Sequence, residues 1–233
     1  MRKLDELRGL GVLVLTGLFT LGLLGSPVPV AEAGHISCGD TLGPGGSFVL
    51  DSNVGPCGPT GPALRVVGPV QFDLNGFTVS CTTSGQIGLD GIVVGGNAAT
   101  VTNGTVTNCF AGVVVAGSGR QRIQRVTADG NGNGFYVQSS GNWLHRNTAV
   151  NHRATGYFIY AAGVQLKFNL LSDNRADSNG IGIYLSTDAR NSIVFRNTAL
   201  SNSSTDMRDD NPNCDRNFWL RNTFVTSSQG CIR

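Results

Sequence analysis

The sequence has almost no lysine or glutamate and few charged residues of any kind. Charged side chains make up 14% of the 233 residues, and these two types are limited to Lys3, Lys167, Glu6 and Glu32. Because lysine and glutamate are good helix formers, their scarcity argues against a helical fold. The net charge is only +2. So small a charge gives no bulk attraction to nucleic acid, and we expect no nucleic-acid partner.

Long hydrophobic runs are also lacking, except near the start of the chain. Residues 9–25 are apolar, follow three basic residues and precede a small-x-small sequence at residues 31–33. This order is typical of a secretory signal, which we place at residues 1–33. A membrane anchor is the alternative, but five glycines within 17 residues make the run marginal for crossing a bilayer. We therefore expect a secreted or periplasmic protein with no membrane segment after cleavage.

What the sequence does contain is a repeat of short apolar runs separated by turns. Its clearest unit, GFYVQSSGNWLHRNTAVN, spans residues 134–151. With Asn147 as the reference, equivalent positions follow one another at intervals of 21 to 28 residues. They are Asn75, Asn103, Val126, Asn147, Asn174, Asn197 and Asn222. The positions three residues before and two residues after are apolar in six of the seven units. A period of roughly 20–50 residues indicates stacked structural units.

Each unit is too short to bury its own apolar face, so stacking must supply the core. The apolar runs are short, alternating and rich in β-branched residues, which predicts strands. Asparagine suits the turn because it tolerates the left-handed conformation and bonds to nearby backbone. Stacked turns would place successive Asn amides about 4.8 Å apart, as an internal ladder. Each unit also begins with glycine and an apolar residue, at Gly91, Gly112, Gly134, Gly156 and Gly182.

The segments GNWLHRNTAVN, RNSIVFRNTALSN and RNFWLRNTF resemble those of right-handed parallel β-helix proteins, the pectate-lyase-like superfold. The resemblance covers about residues 70–226. It implies an all-β, single-stranded solenoid of about seven coils that winds right-handed, as covalently linked parallel strands do. We expect an N-terminal cap at residues 34–69, coils at 70–203, and a last coil with its closing cap at 204–233, because solenoid ends need atypical repeats.

Six cysteines follow the signal, and an even number in an exported protein indicates disulfides. Cys81 and Cys109 each lie six residues after a repeat position, so they would occupy adjacent coils within disulfide reach. The local pairs Cys38–Cys57 and Cys214–Cys231 would then staple the two caps. Zinc is the alternative, but no CxxC spacing is present, and we expect no metal at the cysteines.

Aromatic side chains recur on the outward side of the strand that begins each coil. If Phe135 and Val137 point inward, Tyr136 and its equivalents point outward. We predict a ligand-binding surface made of Tyr136, Gln138, Phe158, Tyr160 and Tyr184. The resemblance implies the same, since enzymes of this superfold bind saccharides on the corresponding sheet. The alternatives are that long turns cover these rings or that they reflect ordinary strand preference.

Three other groups of residues are weaker candidates for a site. Arginines just before the repeat position, Arg125, Arg146, Arg196 and Arg221, could hold an acidic polymer, although solvated charges are commoner. His145 and His152 have no second catalytic group at a fixed spacing. Four aspartates near the end could hold calcium, although turn capping is the simpler explanation. They are Asp206, Asp209, Asp210 and Asp215.

The expected function is a non-catalytic module, a monomer, that binds polysaccharide or another cell-surface polymer. The alternative is a lyase or epimerase of acidic polysaccharide using His145, Lys167 or an arginine. Against it, the Asp-Pro-His motif of mannuronan epimerases is missing, and we expect no pair of coil aspartates on the same face of one rung. Glycoside hydrolysis would need two facing carboxylates. A purely structural role is the third possibility, and no cofactor is expected beyond a possible calcium ion.

Overall fold

The chain folds as a parallel β-helix in a computed structural model that describes residues 35–82 and 89–233. The predicted signal, residues 1–33, lies outside the described residues. Within the described ranges the regular elements are short strands and one 3-10 turn at Pro212–Cys214. None of the helical structure there is long and apolar enough to cross a bilayer. The predicted all-β parallel solenoid is confirmed.

Three faces and three corners make up each turn of the helix. Face 1 is an eight-stranded parallel sheet with one strand per turn. Its strands are β1 (Thr41–Leu42), β4 (Leu64–Val67), β7 (Ile92–Gly95), β9 (Ala111–Val115), β11 (Asn133–Val137), β14 (Thr155–Ile159), β18 (Ile181–Leu185) and β22 (Thr205–Asp209). We call the corners by the faces that they join: 1–2, 2–3 and 3–1.

Faces 2 and 3 form one bent sheet, because β8 (Thr100–Thr107) and β10 (Arg122–Asp129) each run through both faces. Face 2 otherwise contains β2 (Ser47–Val49), β5 (Gln71–Asp73), β12 (Trp143–His145), β16 (Leu170–Ser172), β20 (Ile193–Phe195) and β23 (Phe218–Leu220). Face 3 contains β3 (Val54–Cys57), β6 (Thr78–Cys81), β13 (Thr148–Val150), β17 (Arg175–Asp177) and β21 (Thr198–Leu200). A small sheet at corner 1–2 pairs β15 (Leu166–Lys167) with β19 (Ala189–Arg190).

Alternate residues of each strand fill the core, as the apolar pattern predicts. Phe135, Val137, Tyr157 and Ile159 are fully buried, and the rings of Phe135 and Tyr157 stack at 4.8 Å between centroids. The glycine that begins each unit is required by close packing between rungs. A Cβ built on Gly134 would lie 2.5 Å from the carbonyl oxygen of Gly156 on the next rung. No side chain fits there without moving the rung.

A ladder of asparagines lines corner 2–3 inside the helix. The backbone N–H of Asn147 donates to Oδ1 of Asn174 at 2.9 Å, and Asn174 and Asn197 repeat that bond to Asn197 and Asn222. Each Nδ2 also donates to a carbonyl of the preceding rung, as from Asn174 to Leu144 at 2.9 Å. Backbone N–H and carbonyl groups at a buried turn have no strand partners, and the ladder asparagines supply hydrogen bonds to them instead.

Two members of the predicted ladder occupy a different position. Val126 occupies the ladder position of its rung and pairs with Gly104 of the preceding rung. Asn103 therefore lies one residue before the ladder position. Asn75 and Asn103 have φ of 51° and 57° and form the left-handed turn itself. Arg146 and its equivalents take that conformation in later rungs, with φ near 54°. The prediction that the ladder asparagine is the left-handed residue was therefore wrong, because asparagine suits both positions.

A disulfide lies near each end of the helix, consistent with stapled ends. All three predicted disulfides are present: Cys38–Cys57, Cys81–Cys109 and Cys214–Cys231. The segment assigned to the N-terminal cap, residues 34–69, already contributes β1 to β4, so coils begin earlier than the sequence indicated. At the other end β22 adds a strand to face 1, and residues 223–229 pair along it through bonds such as Met207 N–H to the Thr226 carbonyl.

The ladder makes Asn174 a strong determinant of stability. Alanine at this position would leave the Asn147 N–H buried without its partner and would remove the side-chain hydrogen bonds to the Leu144 carbonyl and to Asn197. Since each such loss costs about 1–3 kcal/mol, we expect Asn174→Ala to lower the free energy of unfolding by about 3 kcal/mol in a denaturant titration. Asn97→Ala, at an exposed position, is the control. Equal stability of the two variants would contradict a stabilising ladder.

Candidate functional site

Four aromatic side chains lie together on the outer surface of face 1. The strand register places Tyr136 beside Phe158 and Phe158 beside Tyr184 on three successive rungs. Tyr160 directly follows β14 and lies in the neighbouring outward column. We call these four residues the aromatic strip. The structure thus brings together the rings that the sequence placed on one surface.

The rings of the aromatic strip are in contact with one another. Phe158 stacks on Tyr184 with centroids 4.7 Å apart and planes 8° apart. Tyr136 stacks on Tyr160 at 5.6 Å and 20°, and Phe158 lies 5.4 Å from Tyr136 and 5.1 Å from Tyr160. Offset stacking at 4.5–7 Å is favourable for aromatic pairs. The result is a continuous, ordered aromatic surface along the helix axis.

The strip remains open to solvent. Tyr160 is 36% exposed, and the other three rings are partly exposed. Partial burial is the main cause that raises the pKa of Tyr136. Burial and the hydrogen bond to Asp210 raise the pKa of Tyr184 to about 12. The Tyr136 hydroxyl therefore stays protonated near neutral pH and can donate a hydrogen bond to a ligand, whereas the Tyr184 hydroxyl already donates to Asp210.

Polar groups border the strip at its C-terminal end. The Tyr184 hydroxyl donates to Oδ2 of Asp210 at 2.5 Å, and Arg208 Nε lies 2.8 Å from Oδ1 of the same carboxylate. The Arg208 guanidinium lies over the Tyr184 ring, 4.7 Å from its centroid. These contacts hold Tyr184 in place and put charged donors and acceptors next to the rings.

At its N-terminal end the strip continues into apolar and polar groups. Val114 and Val93 precede Tyr136 in the same outward column, and Arg65 precedes Val93. Asp90 lies close by, with a pKa raised mainly by burial. A sheet surface with apolar rings in the centre and polar groups at both ends is suited to an amphipathic ligand.

The second outward column was predicted only in part. Gln138 is exposed on the rung before Tyr160, where the sequence placed it. Ser186, the equivalent residue on the rung after Tyr160, is buried, and its hydroxyl accepts a hydrogen bond from the Ala161 N–H at 3.0 Å. Asp210 occupies the following rung. The column therefore presents Gln138, Tyr160 and Asp210 to solvent.

The corner arginines form a solvated column at corner 2–3. Arg125, Arg146, Arg196 and Arg221 are exposed, each in the left-handed turn. Arg196 Nε lies 3.2 Å from Asp173, and Arg125 Nε donates to Oδ1 of Asn103 at 2.6 Å. Part of the column is therefore occupied by local polar partners.

His145 has partners that sequence reasoning missed. Its Nδ1 lies 3.0 Å from Oγ of Ser172 and 3.6 Å from a carboxylate oxygen of Asp173, both on the next rung. Trp143 Nε1 donates to the same Ser172 oxygen at 3.0 Å. The sequence feature that could have identified these partners is the 27-residue repeat offset, which places Ser172 beside His145. This polar cluster lies on face 2, away from the aromatic strip.

His152 takes the place of an asparagine in a second ladder, at corner 3–1. Its Nδ1 accepts the Asn131 N–H at 3.1 Å, and its own N–H donates to Oδ1 of Asn179 at 3.0 Å. Burial lowers the pKa of His152 to about 4. Nδ1 acts as an acceptor, so the ring is neutral and its proton is on Nε2. This histidine belongs to the framework of the fold.

The four C-terminal aspartates are bonded to different partners. Asp206 accepts from Val225, Thr226 and Asn202, and Asp209 accepts from Asn211, Asn217 and Trp219. Asp210 pairs with Arg208 and Asp215 with Arg190. Among the described residues, no three His, Cys, Asp or Glu side chains converge as a metal site. Asp209 also accepts the backbone N–H of Asn211 two residues later, as a turn-capping aspartate does, whereas Asp210 and Asp215 are paired with arginines.

A comparison with protein families places the chain. The model of the family described as "Periplasmic copper-binding protein (NosD)" matches residues 75–229, about two thirds of the chain. The chain belongs to the NosD family. This is a family of right-handed β-helices, so the predicted right-handed parallel β-helix is confirmed. Its periplasmic description agrees with an exported protein.

Comparison with other proteins adds a likeness in fold. The crystal structure of the Dettilon tailspike protein has 12% sequence identity and a TM-score of 0.47. The match covers 82% of this chain and 54% of the tailspike chain, so this chain spans about half of that structure. Among curated protein sequences, none matches this chain.

The lowered pKa of His152 makes its rung of the NosD-family framework sensitive to acid. Its pKa of about 4 is below the usual 6.5, so the unfolded chain binds the proton more tightly. The stability that depends on neutral His152 is therefore fully present above pH 6.5 and is lost as the pH falls toward 4. The variant His152→Asn keeps an acceptor at the ladder position but has no group that titrates there. Between pH 7 and pH 4.5 we expect its free energy of unfolding to fall by about 2–3 kcal/mol less than that of the unsubstituted protein.

Chemical unfolding at the two pH values measures this difference. His35→Asn, at an exposed position, is the control and should keep the original pH dependence. If His152→Asn and the unsubstituted protein lose the same stability on acidification, His152 is not the acid-sensitive group.

Proposed function

We propose that this protein is an exported, non-catalytic β-helix module that binds polysaccharide along the aromatic strip. The observation that carries the proposal is the continuous contact among Tyr136, Phe158, Tyr160 and Tyr184 on an exposed sheet surface. Ordered exposed aromatic patches indicate interaction surfaces. Three disulfides and the periplasmic description of the family support a location outside the cytoplasm, secreted or periplasmic.

The chemistry of the strip suits sugar rings. A pyranose has apolar C–H faces that can cover an aromatic ring, and hydroxyls at its edge that need hydrogen-bond partners. Tyrosine provides both an apolar face and a polar tip. Gln138, Arg208 and Asp210 lie beside the rings and can bond sugar hydroxyls. Because the strip runs along the helix axis, it fits several consecutive units of an extended polymer.

The placement of the candidate catalytic groups supports binding over cleavage. His145 lies on face 2, whereas the aromatic strip lies on face 1. The carboxylates closest to the strip are Asp90 and Asp210, at its opposite ends. Acid–base chemistry on a bound sugar needs groups that reach the same bond.

The copper in the family's description does not fit the donors in the described residues. Copper sites are built from histidine, thiolate and thioether ligands. All six cysteines are in disulfides, and Met207 is buried in the core. His35, His145 and His152 lie in separate places: before β1, on face 2 and inside corner 3–1. We therefore assign copper no role in the proposed function.

The proposal is tested by removing single rings from the strip. We expect Tyr136→Ala and Tyr160→Ala each to weaken binding to a retained polysaccharide by about tenfold, because a buried aromatic contact contributes roughly 1–3 kcal/mol. Affinity electrophoresis through gels containing one polysaccharide at a time, chosen from a glycan-array screen, measures the effect. Melting temperatures check that the variants remain folded.

The matched control is Phe218→Ala, which removes an aromatic ring that is 54% exposed on face 2. Its binding should equal that of the unsubstituted protein. Binding that survives loss of Tyr136 and Tyr160 but not of Phe218 would move the site to face 2. No binding to any arrayed glycan would remove the proposal.

A further inference from the structure

Three basic side chains occupy successive rungs at corner 1–2. Lys167 in β15 pairs in register with Arg190 in β19. Arg216 lies on the following rung, since the Ser192 N–H donates to Oδ1 of Asn217. Together with Gln165, Asn191 and Asp215 they line an open cavity of about 240 Å³. We call it the basic cavity.

Cations outnumber carboxylates in the basic cavity. Two carboxylates contact Arg190: its Nη2 lies 2.9 Å from Asp188, and its Nε lies 2.9 Å from Asp215. Lys167 and Arg216 form no ion pair with the residues that the structure describes. The charge of Arg190 is therefore neutralised by its carboxylate partners. The charges of Lys167 and Arg216 remain available to a ligand. The amides of Gln165 and Asn191 add hydrogen-bonding groups.

The basic cavity lies next to the aromatic strip along the chain. Tyr160 ends the outward column of face 1, and the chain then turns through residues 161–165 into Lys167. On the last rung, Asp210 borders the strip and Asp215 lines the cavity five residues later. The strip and the cavity therefore share two rungs, those of β14 and β18, at corner 1–2.

We propose that the basic cavity binds the anionic group of an acidic polysaccharide whose sugar rings lie on the aromatic strip. The inference rests on the proposed function and narrows its ligand to polymers that carry carboxylate or sulfate groups. Lysine offers a compact charge and arginine a planar set of donors, and both bind such oxyanions through charge-assisted hydrogen bonds. The spacing of about 4.8 Å between rungs lets the cations act on one anionic group or on two.

The test compares three oligosaccharides of equal length: oligogalacturonate, its carboxyl-reduced neutral form, and a sulfated form of that neutral oligomer. Isothermal titration at low salt measures each affinity. We expect the charged oligomers to bind more tightly than the neutral one. The double variant Lys167→Gln with Arg216→Gln should weaken the charged oligomers by about tenfold or more and leave the neutral one unchanged. The oligomer that loses more identifies carboxylate or sulfate as the preferred group.

Arg153→Gln is the control, since it removes an exposed arginine at corner 3–1. It should retain the preference for charged oligomers. The proposed role of the basic cavity is wrong if charged and neutral oligomers bind with equal affinity, or if the control and the double variant lose the same affinity. Either result leaves the proposed role of the aromatic strip intact. Failure of all three oligomers to bind, in a protein that still binds an arrayed glycan, overturns the inference and leaves the proposed function standing.

Discussion

The structure depends on hydrogen bonds from buried asparagine amides to the backbone of adjacent rungs. A chain that turns a corner leaves its sheet, so its N–H and carbonyl groups lose their strand partners. An asparagine amide supplies one acceptor and two donors. At corner 2–3 the Asn174 amide accepts the N–H of Asn147 and donates to the carbonyl of Leu144, and the backbone N–H of Asn174 donates to Oδ1 of Asn197. Corners 1–2 and 3–1 use the same device, with Asn142 and Asn179.

Much of this could be predicted because the backbone repeats. Alternation in the strands identified the buried residues and the outward rings of the aromatic strip, and the repeat offset identified the pair Cys81–Cys109. The offset could not separate two kinds of asparagine. Asn103 forms a left-handed turn and Asn147 a ladder, and both precede polar or small residues in similar turns. The burial of Ser186 was also beyond sequence reasoning, because it depends on the long turn before Lys167 that brings the Ala161 N–H to its hydroxyl.

The fold itself says little about function, since one architecture supports many sites. The distinguishing features are the side chains that the repeat does not require. Inward positions and corners are constrained by packing and by the ladders, whereas Tyr136 and Phe158 point away from the core. Their mutual stacking has no role in closing the helix. The same holds for Lys167 and Arg216, which satisfy no backbone group of the ladders.

The ladders also set the geometry of the surface. Backbone bonds between parallel rungs fix a separation of about 4.8 Å, and every outward column inherits that spacing. The ring centroids of Phe158 and Tyr184, 4.7 Å apart, follow it directly. Such a surface needs no folding or loop closure on binding, because its side chains are already ordered by their neighbours, and this lowers the entropic cost of binding. A framework change that shifts one rung would move a ring and a cation of the same turn together, so the stability of the corners and the affinity of the surface are linked.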